Sequence, residues 1–169
     1  MCGVAGILRF DGSAPDPGQL ASMAAALAHR GPDGEGFEFL GPTALAHRRL
    51  SILDLSSAGH QPMPTPDRKL WLTFNGEIYN YVELRKELES AGIRFVSGTD
   101  SEVILQAYRA WGPRCFARFN GMWALAIWDV EAQELVLSRD RFGVKPLCLH
   151  ATSRRRLAAA EAKALLAAE

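Results

Sequence analysis

The chain has 169 residues, and its 19 Lys plus Arg are balanced by 19 Asp plus Glu, so the formal net charge is zero. That neutrality argues against a nucleic-acid backbone or an anionic membrane surface as the main partner. A hydrophobic fraction of 48% is ordinary for a globular protein, and a chain of this length buries about 70% of the surface its unfolded form exposes, enough for one domain.

The N-terminus lacks a basic segment followed by an apolar one, and no stretch approaches the roughly 20 apolar residues of a membrane span. A cytoplasmic location is the default expectation, without a membrane partner. Cys2, Cys115 and Cys148 form an odd set with no C-x-x-C pair, which points away from a disulfide framework or a structural zinc site. His29, His47, His60 and His150 are scattered without metal-ligand spacing, so no metal is expected.

In chain order, Val4 to Phe10 reads as a buried strand closed by an Asp11-Gly12 turn. Leu20, Met23 and Leu27 share one face of a helix over Gln19–Arg30, which Gly31-Pro32 stops. Gly36–Leu40 and Thr43–Leu53 read as strands. Asp54–Lys69, with three prolines, reads as a loop.

Leu70–Phe74 reads as a strand entering Asn75-Gly76, a dipeptide that usually makes a hairpin turn. No second strand follows at once. Asn80 and Glu83 form a capping-box pattern ahead of a helix with Leu84 and Leu88, ending at Gly92. The dipeptide is therefore expected to be a strand-to-helix turn with free backbone amides. Thr99-Asp100-Ser101-Glu102 opens another helix, reaching Trp111-Gly112. Met122–Trp128 and Glu134–Ser138 form a hairpin, and Leu147–His150 and Arg156–Ala159 are weaker strands before an Ala-rich helix from Glu161. Frequent hairpins predict an α+β layered fold with largely antiparallel sheets.

Gly31-Pro32-Asp33-Gly34-Glu35-Gly36 lacks the spacing of a phosphate loop, follows a helix and carries two acids, so it reads as a surface turn. Arg154-Arg155-Arg156 reads as a solvated loop. Cys2 is more suggestive. Loss of Met1 would leave one residue with a thiol and an α-amine, which ordinarily titrates near about 8 and could act as its base. An amino-acid ligand would need a guanidinium for its carboxylate and an acid for its ammonium. Arg49 and Asp100 could supply these, and Asn75 with Gly76 an oxyanion hole. Each has a plain alternative: surface cation, helix cap, turn.

Six ordered stretches carry a resemblance: Met1-Cys2-Gly3-Val4-Ala5-Gly6, His29-Arg30-Gly31-Pro32-Asp33, Arg49-Leu50-Ser51-Ile52, Phe74-Asn75-Gly76-Glu77-Ile78-Tyr79-Asn80, Thr99-Asp100-Ser101-Glu102, and Asp140-Arg141-Phe142-Gly143-Val144-Lys145-Pro146-Leu147. Together they resemble the class II glutamine amidotransferase domain of glutamine-hydrolysing asparagine synthetases. The resemblance implies the N-terminal nucleophile hydrolase fold, a four-layer αββα sandwich, over residues 1–169.

It further implies that Cys2 is the nucleophile after Met1 is removed and that Asn75 and Gly76 hold the oxyanion. Arg49, with the backbone of Leu50 and Ile52, would bind the glutamine α-carboxylate, while Glu77 and Asp100 would hold the α-ammonium. L-glutamine would be the substrate. The acceptor of its ammonia would be a synthetase domain or subunit, and a homodimer is compatible with the resemblance. The synthetase domain, with its Ser-Gly-Gly-x-Asp-Ser loop, does not fall within these residues. No cofactor is expected in this domain, ATP and magnesium being expected only for the synthetase.

Two alternatives stay open: glutaminase chemistry serving a sugar phosphate or phosphoribosyl pyrophosphate, and a non-catalytic glutamine-binding remnant. Cys148 stands where the family has an aromatic. Ala159-Ala160-Glu161-Ala162-Lys163-Ala164-Leu165 replaces Ala-Ser-Glu-Ile-Lys-Ala-Leu. These departures read as core or interface positions away from the site.

Overall fold

The computed structural model describes residues 1–50 and 59–169. Among these, β1 (Gly3–Arg9) lies at the centre of a five-stranded sheet. Its antiparallel neighbours are β3 (Thr43–Arg49) and β9 (Arg155–Ala159), with β2 (Gly34–Leu40) and β8 (Cys148–Ala151) at the edges. A second antiparallel sheet has the order β4 (Met63–Pro64), β5 (Leu70–Ile78), β6 (Gly121–Asp129) and β7 (Glu134–Arg139).

Period-two alternation stacks the layers. On β3, Ala44 and Ala46 join Leu20, Met23 and Leu27 in the core under α1 (Pro17–Ala26) and α4 (Ala162–Leu166). The residue between them, Leu45, faces the other sheet and packs with Trp71, Ala126 and Trp128. On β5, Leu70, Leu72, Phe74 and Ile78 turn outward against α2 (Tyr81–Ser90) and α3 (Asp100–Trp111). Burying each such side chain contributes on the order of 1.5–3 kcal/mol. The result is the expected αββα sandwich.

Local expectations fail at four informative places. Asn75-Gly76 is not a turn. Both residues lie inside β5, opposite Ala124 and Trp123 of β6, and the strand continues to Ile78. Asn80 precedes α2 but makes no side-chain cap. Its amide instead donates to the Arg118 carbonyl at 3.0 Å and accepts the Asn120 N–H at 2.9 Å, tying the start of α2 to that of β6. Finally, α1 ends at Ala26 and a separate 3-10 turn, Ala28–Arg30, follows. The next residue, Gly31, needs its missing side chain: a Cβ there would collide with the Arg48 carbonyl. The stretch is anchored on the end of β3, where Arg49 O accepts the Asp33 N–H at 3.0 Å, so the glycine-rich segment runs into β2 with Gly31 and Gly36 buried and Pro32, Asp33 and Glu35 exposed. Arg155 and Arg156, expected in a loop, belong to β9, with Arg156 still exposed.

Candidate active site

Cys2 immediately precedes β1, whose first residue Gly3 faces Arg48. This register sets the cysteine against the Arg49–Leu50 end of β3. Its Sγ receives the Leu50 N–H at 3.4 Å and lies 3.6 Å from the Leu50 carbonyl. The thiol opens into a cavity of about 220 Å³, lined also by Arg49, Leu50, Asn75, Gly76, Glu77 and Asp100. These are the residues singled out from the sequence. Ile52 lies outside the described residues.

The strand geometry of β5 explains how two donors reach this cavity. In an antiparallel ladder, backbone N–H groups point alternately to the two neighbours. Tyr79 N–H donates to Asn120 O at 2.7 Å, and Lys69 O accepts the Val130 N–H at 2.9 Å. Odd-numbered residues of β5 therefore bond to β6, and even-numbered ones point to the opposite edge. There, Phe74 N–H donates to Gln61 Oε1 at 2.7 Å and Ile78 N–H to Asp100 Oδ2 at 3.0 Å. Gly76 lies between them, its N–H aimed at an edge that β4 does not cover, since β4 pairs only with Trp71 and Leu72. The odd-numbered side chains face the other sheet, and Asn75 follows Trp71 and Thr73 in that row. Its Nδ2 is buried with no partner among the described residues. A buried donor without a partner costs about 1–3 kcal/mol, so this side chain is arranged for something other than stability.

Around these donors lie the anchors. Arg49 ends β3 on the face that Leu45 and His47 share, facing the second sheet. Asp100 begins α3 and is 5% exposed. Burial pushes its carboxyl up to about 6, against the pull of the Ile78 N–H, and the nearby Glu77 raises it further. Thr99 caps the same helix by accepting the Glu102 N–H at 3.2 Å, which fixes the direction of Asp100.

Sequence reasoning missed three neighbours. His47 is buried, and burial chiefly, then the charges of His60 and Arg49, pushes its pKa down to about 3. The Thr73 hydroxyl is committed to the Ala46 carbonyl at 3.2 Å, so it accepts from His47 Nδ1 at 3.1 Å. Nε2 then carries a lone pair, and it has no partner among the described residues. Lys145 is 6% exposed and lines the cavity, with Nζ 3.0 Å from Met1 Sδ. Its backbone is held by Asp140, whose carboxylate accepts four N–H groups, from Trp123, Phe142, Val144 and Lys145. Arg30 donates from Nε to the Cys2 carbonyl at 2.9 Å. All three lay in stretches quoted above or beside them, but nothing local marks their direction. Among the described residues no three His, Cys, Asp or Glu are grouped to hold a metal, and no helix is long and apolar enough to cross a membrane.

Two antiparallel sheets between helical layers, with a cysteine at the head of the central strand, define an N-terminal nucleophile hydrolase fold. The comparisons agree: the solved structure of glutamine phosphoribosylpyrophosphate (PRPP) amidotransferase from B. subtilis, complexed with ADP and GMP, superposes with a TM-score of 0.83. It covers 99% of this chain and 43% of its own, at 21% identity, a likeness of fold. The chain belongs to the glutamine amidotransferase domain family, whose profile matches residues 1–169. It is 37% identical to asparagine synthetase [glutamine-hydrolyzing] 1 of Bacillus subtilis (strain 168), over all of this chain and 27% of that protein. It is 40% identical to putative asparagine synthetase [glutamine-hydrolyzing] 2 of Methanocaldococcus jannaschii, over 99% of this chain and 35% of the relative. The chain thus spans about a quarter to a third of the length of these relatives.

Proposed function

We propose that this domain hydrolyses L-glutamine to L-glutamate and ammonia through a γ-glutamyl thioester on Cys2, as the glutaminase part of an asparagine-forming enzyme. The observation that carries the reading is Asn75 Nδ2, buried with no partner among the described residues, beside the Gly76 N–H at the edge of β5 that β4 leaves uncovered, both residues lining the cavity that holds the Cys2 thiol. A carboxamide oxygen that becomes an oxyanion needs two such donors. Each contributes on the order of 3 kcal/mol to the transition state.

After removal of Met1, the Cys2 α-amine takes the thiol proton, directly or through a water. The thiolate attacks the side-chain amide carbon, and the negative charge on its oxygen is met by Asn75 and Gly76. The C–N bond breaks as the α-ammonium returns its proton to the leaving nitrogen, and ammonia departs. The same amine then activates a water, which cleaves the thioester to glutamate and restores the thiol. Leu50 N–H, already directed at Sγ, supports the anionic sulfur. Arg49 binds the α-carboxylate, with the Leu50 backbone beside it, and Asp100 and Glu77 bind the α-ammonium. A side chain one methylene shorter then holds its carbonyl short of the thiol, which selects glutamine over asparagine.

This chemistry is acyl transfer to a thiol and calls on no cofactor. ATP and magnesium belong to the synthetase domain or subunit that accepts the ammonia. The 37% and 40% identical relatives, both named as asparagine synthetases, favour that acceptor over a phosphoribosyl pyrophosphate. Glutamate release by the Met1-processed protein, measured beside glutamine binding by calorimetry, tests the reading. Binding without release would make the domain a glutamine-binding remnant.

A further inference from the structure

With Met1 gone, Cys2 is both the nucleophile and the chain terminus, one residue outside the β1 ladder. Terminal residues fray unless tied down. Among the described residues, and apart from the Leu50 contacts to its sulfur, the tie is one hydrogen bond, Arg30 Nε to the Cys2 carbonyl at 2.9 Å. The Arg30 side chain is only 8% exposed, and a buried guanidinium requires a counter-charge. That charge is Glu161, whose Oε1 accepts from Arg30 Nη1 at 2.7 Å across 131 residues of chain. Arg30 Nη2 is buried without a partner among the described residues, so the guanidinium rests on two bonds, one to Glu161 and one to Cys2.

Glu161 is itself well placed to act as a fixed post. It directly precedes α4, and the preceding Ala160 N–H donates to the Val4 carbonyl at 2.9 Å, docking this turn beside β1. His29 Nε2 at 3.0 Å and Lys163 Nζ at 3.1 Å also face its carboxylate. The Arg30 hydrogen bond leads the effects that hold its carboxyl down at about 2, so it is ionised throughout the working range.

We propose that Glu161 is a positioning residue for the nucleophile: it holds the buried Arg30 guanidinium in place, and Arg30 holds the carbonyl of Cys2 so that thiol and α-amine point into the cavity. This rests on the reading of Cys2 as the nucleophile. The alanine-rich C-terminal segment thereby gains a part in the chemistry of residue 2 without touching the substrate.

The test compares the Met1-processed parent with Glu161→Gln, Glu161→Ala, Arg30→Ala and the double alanine variant. Glu161→Gln keeps the shape and removes the charge. Its kcat for glutamate release falls about 10- to 100-fold, since a small misplacement of a reacting group costs that much, while KM for glutamine stays within about threefold because Arg49 and Asp100 are untouched. In the Arg30→Ala background, Glu161→Ala costs less than about twofold more, because the two act as one unit. Amide hydrogen exchange of the N-terminal peptide quickens in Glu161→Gln, with protection elsewhere unchanged. An unchanged kcat, losses that multiply in the double variant, or unaltered N-terminal exchange would overturn the proposal. A parent that releases no glutamate would instead contradict the hydrolase reading, and the exchange measurement would still decide for or against Glu161.

Discussion

Asp100 Oδ2 accepts the Ile78 N–H at 3.0 Å, which brings an acidic side chain of α3 to the edge of β5 two residues beyond Gly76. A carboxylate so placed suits the proposed binding of a ligand's ammonium, and burial disfavours its ionised form in the protein alone. Its pKa is raised from 3.8 to about 6, chiefly by burial. The sign follows: the stability that goes with the neutral carboxyl is complete below about pH 4 and is lost as pH rises through about 6. At neutral pH the ionised group costs up to roughly 3 kcal/mol. Asp100→Asn should therefore raise the melting temperature at pH 7.5, with the advantage vanishing near pH 4, while raising KM for glutamine at least tenfold. In the parent, KM should climb as pH falls below about 6. A KM constant from pH 7.5 to 5 would remove Asp100 from ammonium binding.

Asn75 offers a cleaner separation of binding from chemistry. Its buried Nδ2 has no partner in the described protein, so truncation loses little native hydrogen bonding. Asn75→Ala should lower kcat about 10²–10³-fold and leave KM within a few-fold. The melting temperature should hold or rise slightly. A large rise in KM with kcat preserved would assign Asn75 to ground-state binding.

Much of the layering was legible from period alone. The apolar run of β1, the one-sided leucines of α2 and the β6–β7 hairpin each carry their own signal. Asn75-Gly76, the pair proposed for the oxyanion, was visible in the sequence as residues and misread as geometry. Asn-Gly favours a turn locally, but Phe74 and Ile78 on the same outward face of β5 pack under α2 and α3, and nine residues of pairing with β6 outweigh that preference. Asn80 shows the same override. Its side chain is worth more bridging Arg118 and Asn120 than capping its helix. Arg30, His47, Lys145 and Glu161 had no local signal at all, because their partners, Cys2, Thr73 and Met1 among them, lie far away in sequence.

Met1 lines the cavity, its Sδ against the Lys145 ammonium. Retaining it makes the proposed base an amide and places a side chain where substrate would lie. A chain extended at its N-terminus by a few residues that cannot be removed should show glutamate release at least 10³-fold below that of the processed protein, at equal melting temperature. Comparable rates in both forms would show that the α-amine plays no part as base.

The proposed reaction opens glutamine by covalent attack from Cys2. Rapid acid quenching of the processed protein during turnover, followed by intact mass and peptide mapping, tests it directly. A glutamyl acyl group should appear on the Cys2 peptide within one turnover, disappear when glutamine is exhausted, and be absent from Cys2→Ala, which should retain its fold and release no glutamate. Glutamate release by Cys2→Ala at a substantial fraction of the parent rate, or an acyl group on Cys115 or Cys148, would contradict it.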